Sequence, residues 1–412
     1  MQITSLIKSK RIAPEHLFML SVLVVNGGNY LYNLVLGRLL GPKAFADVAV
    51  LVTFLLVLSF AAMTFQLVTA KFSIHFEGSL LKRFISKTYK HSFLVGLLFG
   101  IAIIGFSSAL ASMFNTTSSA MYVIFGFGVP VYFIMSVNRG IHQGNKAYKQ
   151  LSITYQTEML SRFCVTLLLL FFCKGSPAVA VALGIVVSFM FGLIPFRYKG
   201  VSLKNHVLPH VENIAIRKFF VITAFYELTQ IVINNSDILL VKHYFDAHSA
   251  GLYAALALIG RMVYFLAWMF VMLLLPTVIQ LKKEGRQTTM VLYKYIGYVA
   301  LLALPIIVLC FGVPNTIIHL FFGDAYLNMA PLLWKYALAT SIFAVSNMFA
   351  YYYLSLDVYL PVIVSGIFGL LQVVLVAFFH ESLAQVVHVQ IIAMSILLLV
   401  QLLYFSLHYK TS

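Results

Sequence analysis

Long, uninterrupted blocks of apolar residues set the strongest limit on what this chain can fold into. A helix that spans a bilayer needs ~20 apolar residues, and the 412-residue chain divides into about twelve such blocks separated by short polar turns. Hydrocarbon offers no partner to backbone N–H and C=O groups, so these blocks must be helical. The predicted blocks begin near Leu17, Phe45, Ser92, Met121, Leu151, Ala178, Phe219, Leu252, Tyr295, Leu332, Val362 and Val387.

Composition excludes a soluble domain and gives no sign of a metal centre. Hydrophobic residues make up 61% of the chain and charged residues only 10%, whereas a soluble domain carries about 25% charged residues. Cys164, Cys173 and Cys310 lie inside apolar blocks at spacings that fit neither a metal site nor a disulfide framework. The chain is therefore predicted to be an all-α membrane protein without a metal or other cofactor.

The distribution of basic residues predicts an orientation in the membrane. If the N-terminus is cytoplasmic, 20 of the 28 Lys and Arg residues fall in cytoplasmic segments. The positive-inside rule then places both termini in the cytoplasm. These basic residues lie in short loops on one membrane face, which argues against nucleic-acid binding. The segments are 1–16, 71–90, 146–149, 197–218, 282–294 and 410.

An internal repeat divides the chain into two halves of six helices. A shift of 204 residues aligns Asn26 with Gln230, Asn33 with Asp237 and Arg38 with Lys242. An even number of helices in each half makes the repeat parallel, with a pseudo-two-fold axis along the membrane normal. The predicted domains are an N-terminal lobe (1–198), a basic cytoplasmic linker (199–218) and a C-terminal lobe (219–412).

Two apolar blocks carry polar side chains along a single helical face. Glu227, Gln230, Asn234 and Asp237 are spaced at i, i+3, i+7 and i+10 in the seventh block. In the first block, Asn26, Asn29 and Asn33 are spaced at i, i+3 and i+7. Polar groups in hydrocarbon are expensive and usually functional, so the two faces are expected to line a central cavity, although interhelical hydrogen bonding is an alternative.

Charged residues within the blocks are further candidates for binding or coupling. Glu158 and Arg162 can pair at i and i+4, and Arg139 is expected to reach them across a short hairpin. Arg261 has no carboxylate at i±3 or i±4, so it requires an anion from another helix or from the cargo. Glu227, Asp237 and Glu158 are read as coupling or structural carboxylates. The expected cargo-binding set is Arg261, Arg38, Arg139, Arg162, Lys242, Asn26, Asn33 and Asn234.

Several motifs in chain order resemble those of the oligosaccharide flippase family, the polysaccharide-export branch of the multidrug/oligosaccharidyl-lipid/polysaccharide transporter superfamily. They cover nearly the whole chain. The resemblance implies two six-helix lobes around a V-shaped cavity. It also implies a cargo of polyprenyl-diphosphate-linked sugar that moves from the inner to the outer leaflet. The motifs are Tyr32–Pro42 with Phe45 and Ala46, Arg139–Gly144 with Glu158 and Arg162, Ala250–Tyr253, Gly260-Arg261 with Leu275-Pro276, and Phe321–Tyr326.

Two other functions stay open at the level of sequence. The first is an ion-coupled MATE-like exporter of small, often cationic, molecules on the same fold. Six basic residues, including Lys335, against three acidic ones within the helices favour an anionic cargo instead. The second is a membrane enzyme, which is disfavoured because the longest outer connection, 313–331, carries one acid, Asp324.

The expected partners and location follow from the flippase interpretation. The chain is predicted to be a multi-pass protein of the inner, cytoplasmic membrane that contacts membrane lipids and a lipid-linked oligosaccharide. A polysaccharide polymerase and glycosyltransferases are candidate partners, and coupling to H⁺ or Na⁺ is left open. The sequence does not specify the sugar, the coupling ion or the oligomeric state.

Overall fold

Helices account for almost all of the described chain. The computed structural model describes residues 14–173, 175–196, 209–356 and 358–408. In chain order the helices are α1 (Pro14–His75), α2 (Gly78–Gly105), α3 (Ser107–Met113), α4 (Ala120–Gly144), α5 (Tyr148–Phe172), α6 (Pro177–Gly192), α7 (His210–Tyr244), α8 (Ala247–Gly260), α9 (Met262–Lys283), α10 (Thr289–Gly312), α11 (Pro314–Phe321), a 3-10 helix (Asp324–Met329), α12 (Ala330–Ser355), α13 (Leu360–Phe378) and α14 (Leu383–His408).

Two irregular positions explain how these helices correspond to membrane spans. In α1, Gly41 has a φ of 68°, a left-handed conformation that glycine adopts without strain. Pro42 follows and has no N–H to donate, so α1 contains two spans. Arg261 separates α8 from α9. Counting α1 as two spans and α8 with α9 as one, and leaving out the short α3 and α11, gives twelve long segments in the described part.

The predicted all-α membrane fold with about twelve spans is confirmed. Eight helices of the described part are long and apolar enough to cross a membrane by length and composition alone. Large apolar side chains such as Leu301, Leu370 and Leu403 lie exposed on α10, α13 and α14. Since a bilayer rather than water surrounds such faces, their exposure is what a membrane protein requires. The chain is therefore a multi-pass membrane protein.

The described residues form two compact units. Unit 1 draws on Met1–Tyr32, Ala61–Ser107 and Ala120–Thr223, and unit 2 on Asn33–Phe60, Ser108–Ser119 and Ala224–Ser412. The middle of α1, with the turn at Gly41, thus packs with the second half of the chain. The predicted division into lobes at a basic linker stays a prediction. The linker residues 199–208, together with Lys8, Lys10, Arg11 and Lys410, lie outside the described residues.

Small residues bring the helices of unit 1 into close contact. A Cβ atom at Gly100 of α2 would lie 2.6 Å from the carbonyl oxygen of Gly126 in α4, so only glycine fits this approach. Packing of this kind is common between membrane helices, where close backbone approach replaces the hydrophobic driving force. In unit 2, Gly251 of α8 makes a similar approach to the backbone of Pro42. The turn in α1 is thereby held against α8.

The turn between α7 and α8 is fixed by a helix cap. Asp246 accepts hydrogen bonds from the hydroxyl of Ser249 at 2.6 Å and from the backbone N–H groups of His248 and Ser249. These bonds, the Ser249 hydroxyl first, hold the pKa of the Asp246 carboxyl below its ordinary value. The cap satisfies N–H groups that α8 leaves free at its first turn and so fixes the point at which the chain re-enters the membrane.

Candidate functional site

Unit 1 contains a buried cluster of two arginines and one carboxylate. Glu158 of α5 lies 2.6 Å from Nη2 of Arg139 and 3.0 Å from Nη2 of Arg162. Arg139 also donates to the hydroxyl and carbonyl oxygens of Thr154 and stacks over the ring of Tyr155. The pairing predicted across the α4–α5 hairpin is therefore present. Two guanidinium groups against one carboxylate give the cluster a net charge of about +1.

Arg162 retains donors that no described side chain uses. Its Nη2 group donates to Glu158 and to Oδ1 of Asn29 at 3.2 Å, and its buried Nε–H has no hydrogen-bond partner within the described residues. A buried donor without a partner is costly, by ~1–3 kcal/mol. The Nε atom is itself buried, whereas the side chain as a whole is 11% exposed. Arg162 therefore fits the role of an anion-binding residue.

The surroundings of Arg162 on α1 are polar and open. Asn26, one turn before Asn29 on the same face of α1, is exposed although it lies within a spanning segment. No atom lies within 4 Å of the position that a side chain at the adjacent Gly27 would take. Polar side chains within a membrane span face water-filled space in preference to lipid. The Arg162–Asn29–Asn26 group is therefore a candidate headgroup site.

A second buried network surrounds Asp237 in unit 2. Its carboxylate lies 2.5 Å from Nη2 of Arg261 and accepts hydrogen bonds from the hydroxyls of Tyr253 and Tyr336 and from the amide of Gln390. The network thus joins α7, α8, α12 and α14 to the residue between α8 and α9. Asp237 acts as the acceptor in each of these contacts.

Arg261 has a partner for each of its nitrogen atoms in this network. Besides Asp237, its Nε group donates to Tyr336 and Nη1 donates to Oδ1 of Asn235 at 3.3 Å. The anion that the sequence required for Arg261 is therefore the carboxylate of another helix. A cavity of about 20 Å³, also lined by Asn234, lies beside the pair; this is room for about one water molecule. Binding of cargo by Arg261 or Asn234 stays a prediction, and it would require this network to open.

Lys242 also has an internal counter-ion. Its ammonium lies 2.9 Å from Asp47, which follows the turn of α1, and both side chains are 2–3% exposed. The second oxygen of Asp47 accepts from the N–H and hydroxyl of Thr117, and Lys242 also donates to the carbonyl of Asn115. We call Asp47, Asn115, Thr117 and Lys242 the Asp47 cluster. It binds the first-half segments around residues 47 and 115–117 to the end of α7.

Contacts close to the Asp47 cluster join several motifs quoted from the sequence. Arg38 donates to the carbonyl of Leu320 at 2.8 Å, and the hydroxyl of Tyr326 donates to the carbonyl of Gly37 at 2.7 Å. Phe322 packs against Gly37 and faces Phe45. The motifs around residues 37–46 and 321–326 therefore meet at one end of unit 2. Their shared role here is to hold α1 against the second half of the chain.

Glu227 differs from the other membrane carboxylates because it has no ion-pair partner in the described part of the chain. It lies midway along α7 and is partly buried. Glu158, Asp237 and Asp47 each have a basic group within 3.0 Å. Arg261 is not its partner, because Arg261 binds Asp237. An unpaired carboxylate at this depth remains available to a proton or a cation.

The structure brings some of the predicted site residues together and separates others. Arg139, Arg162 and Glu158 form one cluster, whereas Asp237 and Arg261 form another. The asparagines of α1 are divided, since Asn26 belongs to unit 1 and the partly buried Asn33 to unit 2. Asp47 is not among the site residues predicted from the sequence. The signal was present, because an acid inside the apolar run Ala46–Val50 is expensive unless it is paired.

Comparisons with known proteins identify a family and solved structures that are similar to this chain. Residues 35–331 match a family model described as polysaccharide biosynthesis protein, and no curated protein sequence matches the chain. An inward-facing multidrug resistance MATE family transporter of the MOP superfamily is similar in structure, with a TM-score of 0.75 at 12% identity over 93% of this chain and 95% of that one.

Two further solved structures share the fold. The lipid II flippase MurJ in an inward closed conformation has a TM-score of 0.75 at 15% identity, over 95% of this chain and 87% of that one. A MATE protein in a bent conformation has a TM-score of 0.63 at 13% identity, over 97% of both chains. The resemblance to polysaccharide export proteins seen in the sequence motifs is confirmed by the family model. At these identities the likeness establishes the fold and leaves the cargo open.

Proposed function

We propose, from the premise that this chain belongs to the polysaccharide biosynthesis protein family, that it carries a polyprenyl-diphosphate-linked oligosaccharide from the inner to the outer leaflet. The solved structures that share its fold include a lipid II flippase and MATE transporters, so a MATE-like exporter is the alternative to this proposal. The observation that carries the choice of cargo is the Arg139–Glu158–Arg162 cluster, which has excess positive charge and an unused buried N–H. A guanidinium fork fits a phosphate better than it fits a cationic drug.

Movement of such a cargo across the bilayer does not require covalent chemistry. A diphosphate-sugar headgroup cannot cross hydrocarbon without a polar path, whereas its prenyl chain can stay in lipid. The cell interior is electrically negative, so outward movement of a cargo with a charge of about −2 is favourable. The electrical free energy gained is ~2.3 kcal/mol per charge per 100 mV of membrane potential. The protein is therefore proposed to act as a transporter by alternating access and not as an enzyme.

In an alternating-access cycle, the Asp47 cluster is proposed to stabilise the form in which one end of the protein is closed. If the cargo leaves at the end where α1 turns, we propose that the contacts of Asp47 with Lys242 and Thr117, which lie within unit 2, separate in each cycle. The cluster and the Gly37–Tyr326 hydrogen bond then stabilise the form in which that end is closed. We therefore assign Lys242 and Arg38 to closure of this end, in place of direct contact with the cargo.

The proposal predicts what accumulates when the protein is lost. Depletion of the protein from its own cells is expected to cause loss of surface polysaccharide and accumulation of one polyprenyl-diphosphate-linked oligosaccharide. Mass spectrometry of the extracted lipids measures this and identifies the sugar. Depletion that leaves both the surface polysaccharide and the lipid-linked pool unchanged contradicts the proposal.

Orientation is a separate prediction, based on the bias of basic residues toward one face. Reporter fusions after Ser412 and after His210 are expected to show cytoplasmic activity, and a fusion after Asp246 external activity. An external signal at either of the first two positions would refute the proposed topology. A fusion within the α4–α5 turn at Asn145 serves as a further cytoplasmic control.

Coupling is proposed to involve Glu227, because it is the membrane carboxylate without a basic partner among the described residues. Glu227→Gln removes the charge and keeps the size. The variant is expected to fold normally and to transport cargo at a rate that no longer changes with an imposed proton or sodium gradient. Reconstituted transport with and without each gradient is the measurement. Unchanged gradient dependence in folded Glu227→Gln protein removes this residue from coupling.

A further inference from the structure

An apolar groove lies between α13 and α14. It has a volume of about 260 Å³ and is lined by Leu375, Phe379, Gln385, His388, Val389 and Ile392. This is near the lower bound of small-ligand pockets, ~300 Å³. Phe379 and Ile392 are 49% and 54% exposed, so the groove opens onto the surface that meets lipid. In a bilayer, lipid acyl chains surround such a surface.

A basic side chain without a counter-ion lies at the edge of this groove. The ammonium of Lys335 is 3.1 Å from Nε2 of His388. An ammonium has only donors, so this ring nitrogen accepts the hydrogen bond. No carboxylate of the described part pairs with Lys335, in contrast to Lys242, Arg261 and Arg139, each of which has one. The edge of the groove therefore carries an uncompensated positive charge.

The depth of Lys335 matches that of a lipid headgroup. It lies in the second turn of α12, which begins at Ala330, and its ammonium is 5.9 Å from the ring of the adjacent Trp334. Tryptophan and lysine near helix ends typically lie at the membrane–water boundary. A hydrocarbon groove with a cation at headgroup height has the chemistry of a site for an anionic lipid.

We propose that the α13–α14 groove binds one chain of an anionic phospholipid whose phosphate contacts Lys335 and His388. The leaflet is the one that meets this end of the protein, which the distribution of basic residues predicts to be the outer one. Phospholipids form the bulk of the bilayer, so mass action favours one of them as the occupant, because occupancy rises with ligand concentration. The site is independent of the proposed cargo and would exist equally in a MATE-like exporter.

Trp334 serves as a probe near the site, because its ring lies 5.9 Å from the ammonium of Lys335, although it packs against Phe311 of α10 and does not line the groove. The chain has two tryptophans, so Trp268→Phe leaves Trp334 as the only one. The full chain with this substitution is reconstituted in phosphatidylcholine vesicles that contain a small fraction of brominated phosphatidylglycerol or of brominated diacylglycerol. Bromine quenches tryptophan fluorescence on contact. The phosphatidylglycerol is expected to quench Trp334 more strongly than the diacylglycerol does at the same mole fraction.

Variants distinguish binding at a specific site from a general electrostatic attraction of anionic lipid to the protein. Lys335→Gln with His388→Gln is expected to weaken the apparent affinity for brominated phosphatidylglycerol roughly tenfold, as expected for loss of a charged hydrogen bond. Lys43→Gln removes an exposed positive charge near the Gly41 turn and is expected to change nothing. Unaltered Trp334 emission in unbrominated vesicles verifies folding. Equal quenching by both lipids, or undiminished quenching in the double variant, overturns the proposal.

Discussion

Replacement of Arg162 by alanine is expected to slow transport of the lipid-linked oligosaccharide by roughly 10- to 100-fold, the range for loss of one or two hydrogen bonds to a charged group. Arg162 is the member of the Glu158 cluster with an unused N–H. Nη2 of Arg139 lies 2.6 Å from the Glu158 carboxylate and is expected to stay there in the variant. The carboxylate then remains paired, and the fold is expected to be retained. Initial transport rates in reconstituted vesicles are the measurement.

Two further measurements test whether this effect depends on contact with the phosphate of the cargo. Arg162→Lys keeps the charge but loses the planar fork, so it is expected to restore only part of the rate. Preference for a diphosphate over a monophosphate carrier is expected to fall in Arg162→Ala, which a merely structural role would leave unaltered. Arg83→Ala, an exposed arginine of unit 1, is the matched control. An Arg162→Ala protein with wild-type rate and preference rules out the assigned site.

Replacement of Asp237 by asparagine is expected to destabilise the protein by ~3–5 kcal/mol, because it leaves the buried charge of Arg261 without its partner. Asp237 is also the acceptor for Tyr253, Tyr336 and Gln390, so their donors lose a charged acceptor as well. Denaturation of the purified protein in one detergent is the measurement. Loss of folded yield in cells is expected to follow the same order among variants.

The matched control is the exposed pair of Glu284 and Arg286, whose side chains are 40% and 70% exposed. Arg286→Gln is expected to change the free energy of unfolding by ~1 kcal/mol or less. Asp237→Leu combined with Arg261→Met removes both charges and is expected to recover much of the stability lost in Asp237→Asn. An Asp237→Asn protein as stable as Arg286→Gln would show that the network has no structural role.

The sequence was sufficient for the helical membrane fold but not for the helix ends. Hydropathy places the third span near Ser92, whereas α2 begins at Gly78. A helix can continue beyond the membrane surface. The first turns of α2 carry Lys82 and Lys87, and a hydropathy profile excludes such charged turns from a predicted span. The same happens at α7, which begins at His210, nine residues before the predicted Phe219.

Pairing of charges was predictable only where the partners are close in sequence. Glu158 and Arg162 are four residues apart on one helix, and Arg139 is one hairpin away, so helical geometry suffices. Asp237 and Arg261 lie on different elements, and Asp47 and Lys242 lie 195 residues apart by number. Their pairing depends on tertiary packing, which a single sequence does not specify. Arg261 could therefore be recognised as needing an anion without its partner being identified.

The central claim is that the cargo is a lipid-linked oligosaccharide, and reconstitution tests it most directly. Vesicles with the purified protein and a fluorescent polyprenyl-diphosphate oligosaccharide are treated with a membrane-impermeant glycosidase. The glycosidase is expected to reach the cargo of both leaflets when the protein is present and of one leaflet when it is absent, and Arg162→Ala is expected to slow the second phase. Cargo of the inner leaflet that stays protected, in vesicles where the same protein moves a small cationic dye, would contradict a lipid-linked cargo and favour a MATE-like exporter.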